Sequence, residues 1–395
     1  MSSDVRRLTR PRVVVVPDSF KGSVTAREVA DAMAEGVRAA ARSLATDPTA
    51  EVEPEIRTLP FADGGEGTLD ALLGAWSVAA RTTAATDALG RPVEARYGVS
   101  PDGSTAVVEA AEANGLPQVS DVPLQPLAAT TRGVGALVRA ALADGCTEVL
   151  LCIGGSATTD GGTGLLSALG ARFLDADGVD LPDGGGDLAR LDRIDTSGLD
   201  PRATEVRWRI ACDVTNPLVG ERGAAAVFGP QKGATPDDVT TLDTGLRRLA
   251  AVLAAQTGMD VATTPGTGAA GGMPAGLCAL LGAEIAPGGE IVADTLGLPA
   301  LLSDADLVIT GEGRLDAQSF SGKVVDTVRR LTPAGVPVLV VAGAVEASDE
   351  ELVAAGITGA FSIASGPASL DDLRAGAAAA ITRTTTQVVR VLLHR

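Results

Sequence analysis

The first apolar run of the chain, Val13 to Val16 in "RVVVVP", is β-branched throughout and holds no polar position. Such a run predicts a parallel strand buried on both faces. A polar loop, "DSFKGS", follows, and Thr25-x-x-Glu28 then spells a capping box. Val29, Met33 and Val37 recur at i, i+4 and i+8, one face of a helix. The same order returns as strand "EIRTLP", loop "FADGGEG" and a helix from Thr68 to about Ala75. Strand, loop and helix twice in succession predict α/β architecture with a doubly wound parallel sheet, Rossmann- or flavodoxin-like.

The pattern changes near Val78. The stretch from there to Ala111 alternates apolar and polar positions, with "LGRP" and "PDGS" as turns, and reads as an antiparallel meander. A helix ("RGVGALVRAALADG"), a strand ("EVLLCIGG"), a glycine-rich loop and a helix come next, then the strand "RWRIACDV". "ATPDDVTTLDTGLRRLAAVLAAQTG" is a helix with Pro236 near its start, where helices accept proline. From about Leu296 the α/β rhythm resumes with "ADLVITGEGRLD", a helix around "GKVVDTVRRL" and the strand "PVLVVAGAV". The expected organisation is a discontinuous parallel α/β domain, residues 1–78 plus 296–395, with a mixed α+β domain, 79–295, inserted.

Composition narrows the chemistry. The 395 residues carry a net charge of −18, which disfavours nucleic acid and anionic membrane surfaces as partners. Only three lysines occur, Lys21, Lys232 and Lys323, so 29 of the 32 basic residues (32 − 3) are arginine. All three lysines lie beside a glycine in a loop. The single histidine, His394, stands next to the C-terminus, which excludes Ser-His-Asp triads, HExxH zinc sites and histidine bases. Proton chemistry therefore falls to carboxylates or lysines. The four cysteines have no metal-ligand spacing and read as buried reduced thiols of a cytoplasmic protein. Arg6, Arg7, Arg10 and Arg12 precede no apolar segment of the kind a signal peptide needs, so the first residues read as a solvated leader.

Ligands of open α/β sheets bind at the carboxyl ends of the strands. There this chain places "PDSFKGS", with Asp18, Ser19 and Lys21; "FADGGEG", with Asp63 and Glu66; and "ITGEGRLD", with Glu312, Arg314 and Asp316. Acids and glycines at strand ends suit Mg2+ with phosphate, since magnesium takes oxygen ligands and glycine lets backbone N–H groups approach phosphate oxygens. In the inserted domain, "GGSATTDGGTG" (Gly154, Gly155, Ser156, Thr158 and onward) follows a strand and opens a helix, which predicts free N–H groups against an anion. "GTGAAGG" contains a formal GxGxxG at Gly266, Gly268 and Gly271, with Gly272 next, but no clear strand leads into it. "SGK" at Lys323 fails as a Walker loop because position 317 is Ala317 and Val324 follows the lysine. Asp213 ends a strand among small apolar residues. Partly withdrawn from water, it could deprotonate a hydroxyl, and Lys232 in "GPQKG" could neutralise phosphoryl oxygens.

Taken together, "PDSFKGS", "FADGGEGT", "CIGGSATTDGGTG", "ARFLDADG", "ACDVTNPLVGERGAAAVFGPQKGA", "GAAGGM" and "DLVITGEGRLDAQSFSGK" resemble the bacterial glycerate kinase family. The resemblance runs from Val13 to beyond Gly343, and the family's first loop often carries Glu where this chain has Gly22. It implies an ATP- and Mg2+-dependent kinase acting on D-glycerate, usually at the 2-hydroxyl, with 3-phosphoglycerate as the alternative product. On that footing Asp213 accepts the hydroxyl proton, and Lys21 and Lys232 neutralise the γ-phosphoryl or the glycerate carboxylate. Asp18, Ser19, Arg314 and Asp316 bind substrate. Asp63, Glu66 and Glu312, or Asp316, hold Mg2+. Gly154, Gly155, Ser156, Thr158, Gly268, Gly271 and Gly272 line the ATP phosphates. The active site is expected in a cleft between the domains, and homo-oligomerisation stays open. Two rival readings are a dinucleotide-dependent oxidoreductase, from GxGxxG, and a non-catalytic two-lobed binding protein.

Overall fold

A computed structural model describes residues 10–44, 53–320, 322–367 and 369–393. The leader residues Arg6 and Arg7, and His394, lie outside the described residues. The chain divides into two compact units: Met1–Asp63 with Gly289–Arg395, and Gly64–Gly288.

The first unit is built on a five-stranded, fully parallel sheet. In chain order the strands of both sheets are β1 (Arg12–Pro17), β2 (Glu55–Thr58), β3 (Arg81–Thr86), β4 (Pro92–Val99), β5 (Thr105–Glu109), β6 (Glu148–Cys152), β7 (Arg207–Ala211), β8 (Glu284–Ala286), β9 (Leu307–Gly311), β10 (Val338–Ala342) and β11 (Gly359–Ser362). The sheet of the first unit runs β11-β10-β9-β1-β2. All four valines of β1 are fully buried, as a strand covered on both faces requires. On one face, helix Ala26–Leu44 packs with helix Ala377–Leu393 over Val13, Val15, Ile309 and Val341. Helix Val324–Leu331 contacts β1 and β9. The capping box forms as expected, with Thr25 N–H donating to Glu28 Oε2 at 2.8 Å. Val29, Met33 and Val37 are fully buried; each such side chain contributes roughly 1.5–3 kcal/mol over an exposed position.

The second unit holds a six-stranded mixed sheet, β8-β7-β6-β5-β4-β3. The meander pairs antiparallel, β3 with β4 and β4 with β5, and β5, β6, β7 and β8 run parallel. The first division of the chain falls at Asp63, ahead of helix Thr68–Trp76, whereas the sequence pattern puts that helix with the first unit. The reason is packing: Leu69 and Leu73 turn toward Gly98 of β4, where a Cβ would come within 3.2 Å and 3.0 Å of their methyl groups. All four cysteines are buried and none forms a disulfide. Among the described residues no helix is long and apolar enough to cross a membrane.

Candidate active site

In the first unit, neighbouring strands β1 and β9 end in register, Pro17 opposite Gly311, so the loops after them emerge side by side. Asp18 N–H donates to Gly311 O at 2.8 Å. A Cβ on Gly313 would lie 3.6 Å from Lys21 N, which sets "GEG" against "FKG". The "VAGAV" loop joins them: Gly343 N–H donates to Glu312 O at 3.1 Å, and Arg314–Leu315 pairs in parallel with Ala344–Val345.

These loops gather carboxyl groups. Asp18 is half-buried and accepts the Ser19 N–H at 2.6 Å. Desolvation pushes it up to about 6, helped by the charge of Asp63 and opposed by Ser19 and Lys21. Glu312 is only 7% exposed, and its Oε1 has no hydrogen-bond partner. Burial pushes its carboxyl up to about 7 against a hydrogen bond from Ser319 and the charge of Lys323, while Asp18 and Asp316 act to raise it. A buried, unpartnered carboxyl oxygen is costly unless a ligand satisfies it, and such groups cluster at functional sites. Lys323 belongs to this group, and its rarity as one of three lysines and its place beside Gly322 are the signals the sequence carries for it. Lys21 is exposed beside Asp18. Arg314 points to solvent, with Nη2 on Glu346 Oε2 at 2.5 Å, and Asp316 closes a turn by accepting the Gln318 N–H at 2.9 Å.

In the second unit three loops share the carboxyl edge of β5, β6 and β7, where Glu109, Cys152 and Ala211 stand in register. The first is Gly64–Gly67. Glu109, buried at the end of β5, accepts N–H groups from Gly67 at 3.1 Å and Leu69 at 3.0 Å and so anchors this loop to its helix. Glu66 is exposed. The second loop follows β6. Its tip, Gly154 and Gly155, reaches the surface, and a Cβ on Gly154 would come within 3.1 Å of Gly65 Cα. From Ser156 the loop dives inward, and Ser156, Thr158, Thr159 and Asp160 are buried. The third loop carries Asp213, whose Oδ1 accepts Gly288 N–H at 2.9 Å.

Several expectations change. The N–H groups at the start of helix Thr163–Ala168 do not face an external anion. The carboxylate of Asp160 takes them, at 3.0 Å from Gly162 and 3.2 Å from Gly164, together with Thr131 N–H and Oγ1 at 2.8 Å each. Gly268, Gly271 and Gly272 are buried, not loop-tip donors. A Cβ on Gly268 would stand 2.0 Å from Pro217 O and one on Gly271 1.9 Å from Thr158 O. They are glycine because backbone from other loops packs on them. "GTGAAGG" therefore lacks the strand-to-helix context of a dinucleotide fingerprint. Asp213 is exposed, not withdrawn from water. Lys232 is 3% exposed, and its Nζ donates inward to Ser156 Oγ at 3.0 Å and Thr158 O at 2.6 Å. Burial drives its ammonium down to about 7, opposed by Asp160.

Gly271→Ala tests the packing role. With φ +70° and the Thr158 carbonyl in the way, the variant is expected to lose roughly 3 kcal/mol or more. Thermal unfolding checks this, and a variant as stable as the parent would contradict it.

The fold and its loops define a class: a parallel α/β unit interrupted by a mixed-sheet unit, each with polar, glycine-rich loops at its strand ends. The model of the glycerate kinase family matches residues 13–393. The Escherichia coli K12 protein named Glycerate 2-kinase is 43% identical over 96% of this chain and 98% of its own length. Glycerate kinase of Bacillus subtilis 168 is 41% identical over 95% of this chain and 96% of its own. A crystal structure from Salmonella typhimurium LT2 shares the fold with a TM-score of 0.85 at 43% identity, covering 97% of this chain and 98% of that one. The chain belongs to the glycerate kinase family, and it is an enzyme of the kinase class.

Proposed function

We propose that the enzyme transfers the γ-phosphoryl group of ATP to the 2-hydroxyl of D-glycerate, giving 2-phosphoglycerate. The observation that carries this is the near full-length likeness to the Escherichia coli protein named Glycerate 2-kinase. Phosphoryl transfer rests on positioning and charge neutralisation, and needs no histidine.

Asp213 accepts the proton of the attacking hydroxyl. Gly288 N–H holds its Oδ1 and so orients the carboxylate for that task. Lys21 neutralises the transferred group or the glycerate carboxylate, with Asp18 and Ser19 beside it. Arg314 serves the substrate carboxylate only by leaving Glu346. The surface glycines Gly154 and Gly155 offer backbone N–H groups to ATP phosphates.

Among the described residues no group of three or more His, Cys, Asp or Glu is arranged to hold a metal. Magnesium needs no such cage, since it takes one or two carboxylates, substrate phosphates and water. Of the carboxylates named for it, Glu312 fits best, because its buried Oε1 is unsatisfied and Asp18 stands near. Asp63 lies beside Asp18 in the same unit. When bound, Mg2+ neutralises charge on the phosphate oxygens. A kinase drawing on ATP and carrying four buried thiols without a disulfide fits the cytoplasm.

An ADP-release assay tests the reading. ADP should form with D-glycerate, ATP and Mg2+ and fall to background without glycerate. Tight NADH binding without ATP binding would replace the reading with an oxidoreductase.

A further inference from the structure

We propose that Lys232 is a positioning residue that holds the Ser156–Asp160 segment from beneath, and that it does not meet the transferred phosphoryl group. This inference rests on the assignment of the Gly154–Gly155 tip to ATP phosphates.

The geometry is one-directional. Lys232 sits in the turn Pro230–Lys232, closed by Gly233 at φ +88°. Its stem and ammonium are buried, and both of its hydrogen bonds end on the same loop, at Ser156 Oγ and Thr158 O. The Thr158 carbonyl is thereby fixed from two sides, by the ammonium at 2.6 Å and by the bare backbone of Gly271. Asn114 adds a third hold: its Nδ2 donates to Thr158 Oγ1 at 3.2 Å, and its carbonyl accepts the Ala157 N–H at 2.8 Å. Asp160, fully buried two residues on, is the counter-charge. Its carboxylate is committed to Thr131, Gly162 and Gly164.

The Lys232 amine and the Asp160 carboxyl group, both buried, thus lock opposite ends of one short stretch, Ser156 to Asp160. What they lock is the base of a loop whose tip is two glycines. Glycines gain a phosphate site close backbone approach but supply no rigidity of their own. Rigidity must come from the residues beneath, and charge-assisted hydrogen bonds are the strong kind. Arginine, the default cation of this chain, would bring a planar fork into a space sized for a compact ammonium. That accounts for one of the three lysines.

The experiment compares Lys232→Met, which keeps the stem and removes the donor, with Ser156→Ala, which removes one of the two bonds. Both are measured by steady-state kinetics and by backbone amide exchange. Lys232→Met should raise the KM for ATP by about 10-fold or more, with kcat at saturating ATP within about 3-fold of the parent. Amide exchange over Ser156–Gly161 should quicken by about 10-fold or more. Ser156→Ala should move both readouts the same way by a smaller factor, and it keeps the proposal testable if Lys232→Met does not fold. A kcat loss of about 10²-fold or more with unchanged exchange would overturn the proposal and put the ammonium on the phosphoryl group. Unchanged exchange in both variants would overturn it as well. Faster exchange with a shifted glycerate KM and an unchanged ATP KM would uphold the positioning role and remove ATP from this loop.

Discussion

Glu312→Gln is expected to make the enzyme more stable and nearly inactive. The activity arm follows from the site: the carboxylate with the unsatisfied oxygen is the one proposed to carry Mg2+, and its loss should lower kcat/KM by at least about 10²-fold. The stability arm follows from burial. Folding raises this carboxyl from an ordinary value of 4.5 to about 7. Between those values the folded protein holds a proton that the unfolded chain has released. The cost of burying the charge is therefore absent below about pH 4.5, grows as pH rises, and is complete above about pH 7. Glutamine carries no such cost. In metal-free buffer the variant should match the parent near pH 4 and exceed it at pH 8, by roughly 3 kcal/mol at most. Thermal unfolding at the two values measures the difference. A stability gain independent of pH, or activity within about 10-fold of the parent, would remove Glu312 from this role. A residue that costs stability where it sits is retained for what it binds.

Asp213→Asn is the second large effect. If Asp213 takes the hydroxyl proton, kcat should fall by at least about 10²-fold while affinities for ATP and glycerate stay within several fold. Near-normal kcat would move the base to Asp18, whose carboxyl is already pushed up to about 6. The amide oxygen of the introduced asparagine can still accept the Gly288 N–H, so the loop should keep its place.

Local pattern carries much of this molecule. The valine run of β1, the capping box at Thr25, the meander of β3 to β5 and the loops at strand ends are all periodicity or turn chemistry, which a sequence displays directly. The failures share one cause: they depend on what lies across the fold. Nothing beside Asp160 in the chain shows that its carboxylate caps its own loop and reaches Thr131. Nothing beside Gly271 shows that the Thr158 carbonyl rests on it. Lys232 reads as a surface turn lysine or a catalytic one, and only its burial shows the inward aim. Glu109 and Glu312 each stand at the end of an apolar strand, and an acid in that position is the signal that marks both. The first boundary shifts because helix Thr68–Trp76 repeats the pattern of the first unit yet packs on β4.

The product of turnover identifies the reaction. Turnover of D-glycerate with ATP and Mg2+, followed by proton-coupled 31P NMR, should show a doublet from the single hydrogen on the esterified C2 carbon, the signature of 2-phosphoglycerate. A triplet, from the two hydrogens on C3, would contradict the choice of hydroxyl, and no phosphorylated glycerate at all would contradict glycerate kinase activity.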